Sequence, residues 1–180
     1  MRVLGLDPGS RRTGFGLVER SGNQLHCVTH GTAAPRARLD LPQRLHDLAT
    51  RIGEVIDETT PDCVVVEEAY YHESVRSTLV LGHVRGALLV AAVQRGVTVA
   101  EYSPREIKLS VVGAGGATKE QVAFMVRRLL ALKGTVLPDA ADALAAAVCH
   151  LHHVRISAPA RAATAAAVRL EALLARKGTR

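Results

Sequence analysis

Aromatic residues and cysteines are scarce in this sequence. It has no tryptophan, two phenylalanines and three tyrosines in 180 residues, so aliphatic side chains must form most of the core. The three cysteines, Cys27, Cys63 and Cys149, would leave one thiol unpaired in any disulfide scheme, and they share no metal-site spacing. We therefore interpret them as reduced, small apolar residues.

Long apolar runs and a secretory leader are also missing from the sequence. No run approaches the roughly 18 residues of a membrane span. Arg2 is followed at once by a strand-like run, which is not typical of a signal peptide. We expect a cytoplasmic protein that does not enter a membrane, with one domain of sufficient length to bury an ample core.

Acidic residues are outnumbered by basic ones, with 17 Asp and Glu against 23 Lys and Arg, a net charge of +6. Residues 157–180 hold five basic residues and one Glu, and therefore +4 of this charge. A polyanionic partner such as DNA is indicated. We divide the chain into a domain at 1–156 and an Ala/Arg-rich basic tail at 157–180, which we expect to be a loose helix or disordered.

Hydrophobic periodicity predicts an α/β fold. The predicted strands are 2–7, 13–20, 24–33, 62–67 and 97–102. The predicted helices are 41–58, 75–95, 104–112, 118–132 and 139–154. Tight turns join the first three strands, which should be antiparallel, whereas helical connections imply parallel pairing of the later strands. We expect a mixed five-stranded sheet flanked by helices.

Four carboxylates occupy the ends of these elements. Asp7 ends the first strand, Glu67 ends the fourth, and Asp139 and Asp142 lie three residues apart on one face of the last helix. A carboxylate buried without a partner is costly, so this arrangement is typical of a site for hard divalent cations. Taken singly, each acid has a plainer interpretation: a turn residue, a solvated strand end, or a helix N-cap followed by a first-turn acid.

Glu68 competes with Glu67 for a place in this site. Adjacent strand residues point to opposite faces of a sheet, so only one of the two should contribute. The preceding residues, CVVV, are apolar on both faces. Alternation alone therefore does not decide between them.

The glycine-rich segment VVGAGGAT precedes a predicted helix. Thr118 is a candidate N-cap, and Lys119 lies in the first helical turn, where free backbone N–H groups attract phosphate. A flexible connector is the alternative, and the segment does not match the Walker phosphate-loop pattern.

Several segments resemble the RuvC family of Holliday junction resolvases when they are taken together and in order. They are LGLDPGSRRTGFGLV, VVVEEAYY, LGHVRGALLVAAV, VVGAGGATKEQV and PDAADALAAA, and they span roughly residues 1–155. The resemblance implies a ribonuclease H-like fold and a homodimer that makes paired incisions in four-way DNA junctions. It also implies two Mg²⁺ ions per subunit, with Mn²⁺ as a substitute, and the branch-migration proteins RuvA and RuvB as partners.

The same resemblance assigns roles to individual residues. The catalytic, metal-binding acids are Asp7, Glu67, Asp139 and Asp142, so the family motif selects Glu67 over Glu68. The resemblance favours DNA contacts by Tyr70, Lys108 and Lys119. Arg76 is expected to join them because of its charge, with an ordinary solvated charge as the alternative. Tyr70 would stack on a base at the junction centre, with core packing as the alternative, and the basic residues would bind phosphates.

Other classes of protein share part of this pattern. A YqgF-type RNA-processing nuclease has the same fold and opening turn, although the DAADA segment and the length favour RuvC. Sugar kinases and actin-like ATPases have a similar first phosphate loop, but they need two domains and more than twice this length. A structural DNA-binding protein whose acids only cap elements is a further alternative.

The stretch LVLGHVRGALLVAAV is predicted to serve both the core and a dimer interface.

Overall fold

The computed structural model describes residues 1–68 and 74–154; the predicted tail at 157–180 lies outside them. The strands in these ranges are β1 (Arg2–Asp7), β2 (Thr13–Ser21), β3 (Gln24–Ala33), β4 (Cys63–Glu67) and β5 (Thr98–Tyr102). The helices are α1 (Leu41–Thr59), α2 (Val75–Gln94), α3 (Pro104–Val112), α4 (Lys119–Leu129) and α5 (Pro138–His153). Every predicted element is present, and no element end differs from its prediction by more than three residues.

The five strands form one mixed sheet in the order β3-β2-β1-β4-β5. β2 is antiparallel to both β1 and β3, whereas β4 is parallel to β1 and β5. The predicted fold class is confirmed. In this topology β1, β3, β4 and β5 all end, and β2 begins, at the same edge of the sheet, which we call the carboxyl edge.

Helices cover both faces of the sheet, which explains why the central strands are apolar on both sides. One face packs against α1 and α2 and buries alternate strand residues, among them Leu4, Leu6, Val64 and Val66. The other face packs against α3, α4 and α5 and buries the residues between them, among them Val3, Cys63 and Val65. A strand residue therefore faces α5 if it lies an even number of positions from Val3 in β1 or from Cys63 in β4.

Glycines let α5 lie directly against β1 and β2. A Cβ atom built at Gly5 would lie 1.9 Å from the Ala143 carbonyl oxygen, and one at Gly14 would lie 2.0 Å from the Asp139 carbonyl oxygen. Both obstacles are backbone atoms, which cannot move aside as a flexible side chain can. The helix is itself rich in buried alanines, including Ala140 and Ala143. Backbone thus packs on backbone where α5 crosses the sheet.

The helix termini that were predicted from cap residues are present. Thr118 caps α4, accepting a hydrogen bond from the Gln121 backbone N–H, and the Gln121 side chain accepts one in return from the Thr118 N–H. Lys119 is accordingly the first residue of the helix. The connector before it turns through Gly113, whose φ of +83° lies in the left-handed region that favours glycine.

Helix α2 differs from the sequence expectation about long apolar segments. Among the helices in the described ranges, it is the one that is long and apolar enough to cross a membrane, by length and composition only. The expectation considered only uninterrupted apolar runs. Arg76 and Arg85 interrupt the apolar sequence of α2, but its mean hydropathy is still 1.3. Only 22% of the apolar window is buried, and Leu79, Val90 and Val93 are exposed.

The three cysteines are free, as predicted. Cys63 and Cys149 are buried in the core between the sheet and α5, and Cys27 is half-buried beside it. Burial raises the pKa of all three thiols, that of Cys149 to about 11. They therefore serve as uncharged packing residues.

We predict that Gly5→Ala destabilises the protein by more than about 3 kcal/mol, because the added methyl group meets backbone rather than a movable side chain. Urea denaturation of the purified variant measures this. Gly116→Ala is the matched control, since a Cβ there meets no atom of the described residues within 4 Å and the φ of Gly116 lies outside the left-handed region. Equal stability of the two variants would contradict the close packing of α5 on β1.

Candidate active site

The sheet places Asp7 and Glu67 side by side. β1 and β4 are parallel neighbours in which Leu6 is paired with Val66, so the next residues along, Asp7 and Glu67, end the two strands together. Adjacent strands lie about 4.8 Å apart. Both acids continue the alternation of residues that face α5, and the helix begins at the same edge, with Asp139 and Asp142 in its first two turns.

The pKa values show that the four carboxylates form one electrostatic cluster. The pKa of Asp7 is raised to about 7, chiefly by burial and then by the negative charges of Asp142, Glu67 and Asp139, while Lys119 opposes the rise. The pKa of Glu67 is also raised, first by burial and then by Asp142. The protein therefore compensates the negative charge only in part, and the cluster attracts cations.

Two cationic side chains border the cluster. The Lys119 Nζ lies 3.2 Å from Oδ2 of Asp142, and the Arg12 Nη1 lies 3.9 Å from Oδ2 of Asp139. Both cationic side chains are at least half exposed, so water screens these ion pairs and their energies are small. Such loosely held cations can turn from the carboxylates towards an incoming phosphate.

A cavity of about 210 Å³ opens beside the acids. Its polar lining consists of Glu67, Asp142, Lys108 and Lys119, and its apolar lining consists of Pro104, Ile107, Val122 and Ala145. The two lysines come from α3 and α4, which pack against α5. Carboxylates and ammonium groups thus share one cavity, an arrangement suited to holding a phosphodiester next to acids.

Glu68 is separated from this cluster by the strand geometry. Its backbone N–H donates to the Tyr102 carbonyl oxygen at 2.9 Å, which extends the pairing of β4 with β5 by one residue. Alternation then directs its side chain away from the face that Glu67 shares with α5. The side chain is exposed. The ambiguity that the sequence left between the two glutamates is thus resolved by the face that α5 covers.

The interpretation of Asp139 as a helix N-cap is wrong. The N-cap residue is Leu137, and no side chain from residues 1–68 or 74–154 caps this end of α5. Pro138 takes the first helical position, which its fixed φ favours, so the helix begins before Asp139. Asp139 consequently lies inside the first turn, with its carboxylate towards Arg12.

A divalent cation fits the chemistry of these side chains. Within residues 1–68 and 74–154, no three His, Cys, Asp or Glu side chains already converge closely enough to hold a metal ion. However, all four acids offer oxygen, the donor that Mg²⁺ and Mn²⁺ prefer. The raised pKa of Asp7 shows that more positive charge would be favourable there.

The residues predicted to contact DNA lie at different distances from the acid cluster. Lys108 is half-buried in the wall of the cavity, and Lys119 lies at its rim. Arg76 is exposed in the first turn of α2. Tyr70 lies outside the described residues. The position of Arg12 beside Asp139 could not be predicted, because nothing in the sequence distinguishes Arg12 from its neighbour Arg11.

Comparisons with known proteins agree with this architecture. A family model described as crossover junction endodeoxyribonuclease RuvC matches residues 3–150. The protein of that name from Bordetella avium is 49% identical over 152 residues, which cover 84% of each chain. The Thermus thermophilus RuvC structure aligns with a TM-score of 0.75 and 33% identity, over 84% of this chain and 94% of that one. The same protein in complex with a Holliday junction substrate aligns with a TM-score of 0.76 and 31% identity, over the same shares of the two chains.

We predict that Asp7→Asn stabilises the metal-free protein in a pH-dependent way. The pKa of Asp7 is raised from 3.8 to about 7 in the folded state, so its contribution to stability is full below about pH 4 and is lost as the pH rises to 7. In EDTA at pH 8 the variant should be more stable by up to about 4 kcal/mol, with no difference at pH 4. Urea denaturation at both pH values checks this.

The exposed variant Glu68→Gln is the control, because it removes one negative charge without relieving a buried carboxylate. Asp7→Asn and Glu68→Gln should therefore differ at pH 8. The same stability for Asp7→Asn and the unmodified protein at pH 8 would show that Asp7 is not held under electrostatic strain.

Proposed function

The chain belongs to the RuvC family of crossover junction endodeoxyribonucleases, and we propose that it resolves four-way DNA junctions by paired, symmetric incisions in homologous recombination and DNA repair. The observation that carries the proposal is the cluster of Asp7, Glu67, Asp139 and Asp142 beside two lysines at the carboxyl edge. The similarity to an RuvC structure that contains a Holliday junction supports the substrate. A YqgF-type RNA-processing activity is not favoured, because the family model that matches most of the chain describes a DNA endonuclease.

The four acids are the residues that would hold metal ions, and we propose two Mg²⁺ ions per subunit, with Mn²⁺ as a substitute. All four acids offer oxygen ligands, and they come from three elements that meet at one edge. When bound, such ions supply Lewis-acid activation of water and stabilise charge on the leaving oxygen of phosphodiester hydrolysis.

The chain's own cations bind and orient the scissile phosphate in this proposal. Lys108 and Lys119 line the cavity that also contains Glu67 and Asp142, so a phosphodiester that enters meets two ammonium groups next to the acids. The pKa of Lys119 is raised, chiefly by the charge of Asp142, so this lysine stays protonated at neutral pH. Arg76 is proposed, from its charge, to bind phosphate, and Tyr70 is proposed, from family resemblance, to stack on a base.

A homodimer explains how the two incisions can be paired. Each chain has one acid cluster and can cut one strand, whereas a two-fold symmetric dimer presents two clusters to a two-fold symmetric junction. Leu79, Val90 and Val93 on α2 are exposed and apolar, and Gly82 and Gly86 have open space around them. Such a face is suited to packing against its own copy. We therefore place the dimer interface on α2.

Family resemblance extends the proposal to the cellular setting. We propose that the dimer acts in the cytoplasm with RuvA and RuvB. Residues 1–156 would carry the nuclease activity, and the basic residues at 157–180 would add non-specific attraction to DNA.

We predict Mg²⁺-dependent conversion of a cruciform-bearing supercoiled plasmid to its linear form. Paired cuts across the cruciform linearise the plasmid, whereas unpaired cuts leave a nicked circle, so gel electrophoresis separates the two outcomes. Leu79→Arg, which places a charge on the exposed face of α2, should yield nicked circles instead. Absence of junction cutting by the unmodified protein would disprove the function, and linear product from Leu79→Arg would disprove this dimer interface.

We further predict that Glu67→Gln lowers single-turnover junction cleavage at saturating Mg²⁺ by a factor on the order of 10² or more, as expected for loss of a metal ligand. Glu68→Gln should lower it by less than roughly tenfold, since its side chain points away from the cluster. Quenched-flow cleavage of a synthetic junction compares the two matched variants. A reversed ranking would show that the wrong glutamate has been placed in the site.

A further inference from the structure

Two regions of the chain outside the tail carry an excess of positive charge. Residues 104–133, which include Lys108 and Lys119, hold six Lys and Arg against two Glu, a net charge of +4. Residues 8–12 and 34–51 together contain six arginines and two aspartates, also a net charge of +4. Residues 157–180 carry another +4, so all remaining residues sum to −6. The six arginines are Arg11, Arg12, Arg36, Arg38, Arg44 and Arg51.

The two segments lie together at the carboxyl edge. Residues 8–12 connect β1 to β2, and residues 34–40 connect β3 to α1; Thr13 and Ala33, which border them, are paired in the sheet. The Arg44 side chain in the first turns of α1 donates a hydrogen bond to the Ser10 carbonyl oxygen and so ties α1 to the first connection. We call residues 8–12 and 34–40 the arginine strap. The strap lies on the β3 side of the acid cluster, opposite the lysines that follow β5.

A buried carboxylate holds the strap in place. Asp47 of α1, whose side chain is 8% exposed, accepts hydrogen bonds from the backbone N–H and from Nε of Arg36, both at 2.9 Å. It accepts another from Nε of Arg51 at 3.0 Å. The Arg36 side chain remains 71% exposed, so the rest of its guanidinium faces solvent. Asp47 thus fixes the orientation of this arginine without covering it.

Arg38 adopts a backbone conformation that ordinarily favours glycine. Its φ is +63°, in the left-handed region, where a side chain adds strain. Arg38 is nevertheless exposed, so burial in the core does not explain why a long cationic residue stands there. Strained residues are often found where a side chain has a binding role. The charge of Arg38 is therefore the feature that needs an explanation.

The strap borders an open groove of about 610 Å³. The described residues that line it are Arg36, Ala37, Leu39, Pro42, Gln43 and His46, and none of them is acidic. Arginine guanidinium groups match the geometry of phosphate oxygens. A groove with a cationic rim and an amide is therefore suited to the sugar-phosphate backbone of DNA.

We propose that the arginine strap is a second phosphate-binding surface, which holds a duplex arm of the junction on the β3 side of the cut. The inference rests on the proposed function. The outer strand β3 lies two strand spacings, about 10 Å, from β1. This distance corresponds to about three base-pair rises of DNA. The lysines would then orient the scissile phosphate, while Arg11, Arg36 and Arg38 position the arm next to it.

Salt dependence of junction binding tests this surface. We expect Arg11→Ala/Arg38→Gly to lower the slope of log Kd against log salt by about two phosphate contacts, roughly 0.9 each, measured in Ca²⁺ without cleavage. Glycine suits the left-handed conformation, so the thermal midpoint of the variant should not fall. The control Arg128→Ala/Lys133→Ala removes the same charge from exposed positions at the far end of α4 and beyond, and its slope should be unchanged.

A junction with single neutral methylphosphonates locates the contact. Neutralising phosphates about three or more base pairs from the cut should weaken binding by the unmodified protein and have no further effect on the Arg11→Ala/Arg38→Gly variant. Equal weakening of both proteins at every position, or equal salt slopes for the strap and control variants, would overturn the inference. Failure of the proposed function would be distinct, because the unmodified protein would then neither prefer nor cut the junction.

Discussion

The contact between α5 and β1 is the constraint on which the rest of the structure depends. At Gly5 of β1, and at Gly14 of the neighbouring β2, the helix backbone reaches the strand backbone, and no side chain fits between them. Asp139 and Asp142 are carried by that helix, and Asp7 ends the strand beneath it. The separation of the acids is therefore set by backbone packing, which varies far less than packing through side chains. A metal site needs this kind of rigid support for its ligands.

The acid cluster concentrates negative charge in the middle of the carboxyl edge. Cations surround it, and some are held more firmly by the protein than others. Lys119 and Arg12 form exposed ion pairs with two of the acids, which a phosphate can replace at little cost. On the β3 side, the buried Asp47 instead binds Arg36 firmly through its backbone and side chain. Loose cations thus lie where the chemistry is proposed to occur, and fixed ones lie at its border.

Much of this architecture could be predicted from the sequence, because the informative signals are local. Strand alternation, helix periodicity and cap residues such as Thr118 predicted every element and its approximate ends. The acids could be grouped because strand ends and helix starts meet at one edge in α/β folds. Glu67 and Glu68 could not be separated in this way, since the residues before them are apolar on both faces and only the position of α5 distinguishes these faces.

The remaining gaps concern contacts between residues that are distant in the sequence. No local pattern shows that Arg12 lies near Asp139, or that Asp47 binds Arg36 in the connection after β3. The start of α5 was misjudged by one residue, because Pro138 and Asp139 both suit a helix start and the choice depends on packing. The apolar character of α2 was underestimated, since Arg76 and Arg85 interrupt its apolar runs without offsetting its mean hydropathy.

The packing of α5 on β1 also determines when the protein can become active during its synthesis. Asp7 emerges from the ribosome well before its partners on α5, which are more than 130 residues later in the chain. The first three strands and α1 can fold early from local contacts, whereas the acid cluster needs the last helix to dock across the sheet. An unfinished chain therefore has only part of the acid set. The order of translation itself keeps the proposed DNA-cutting site incomplete until α5 has been made.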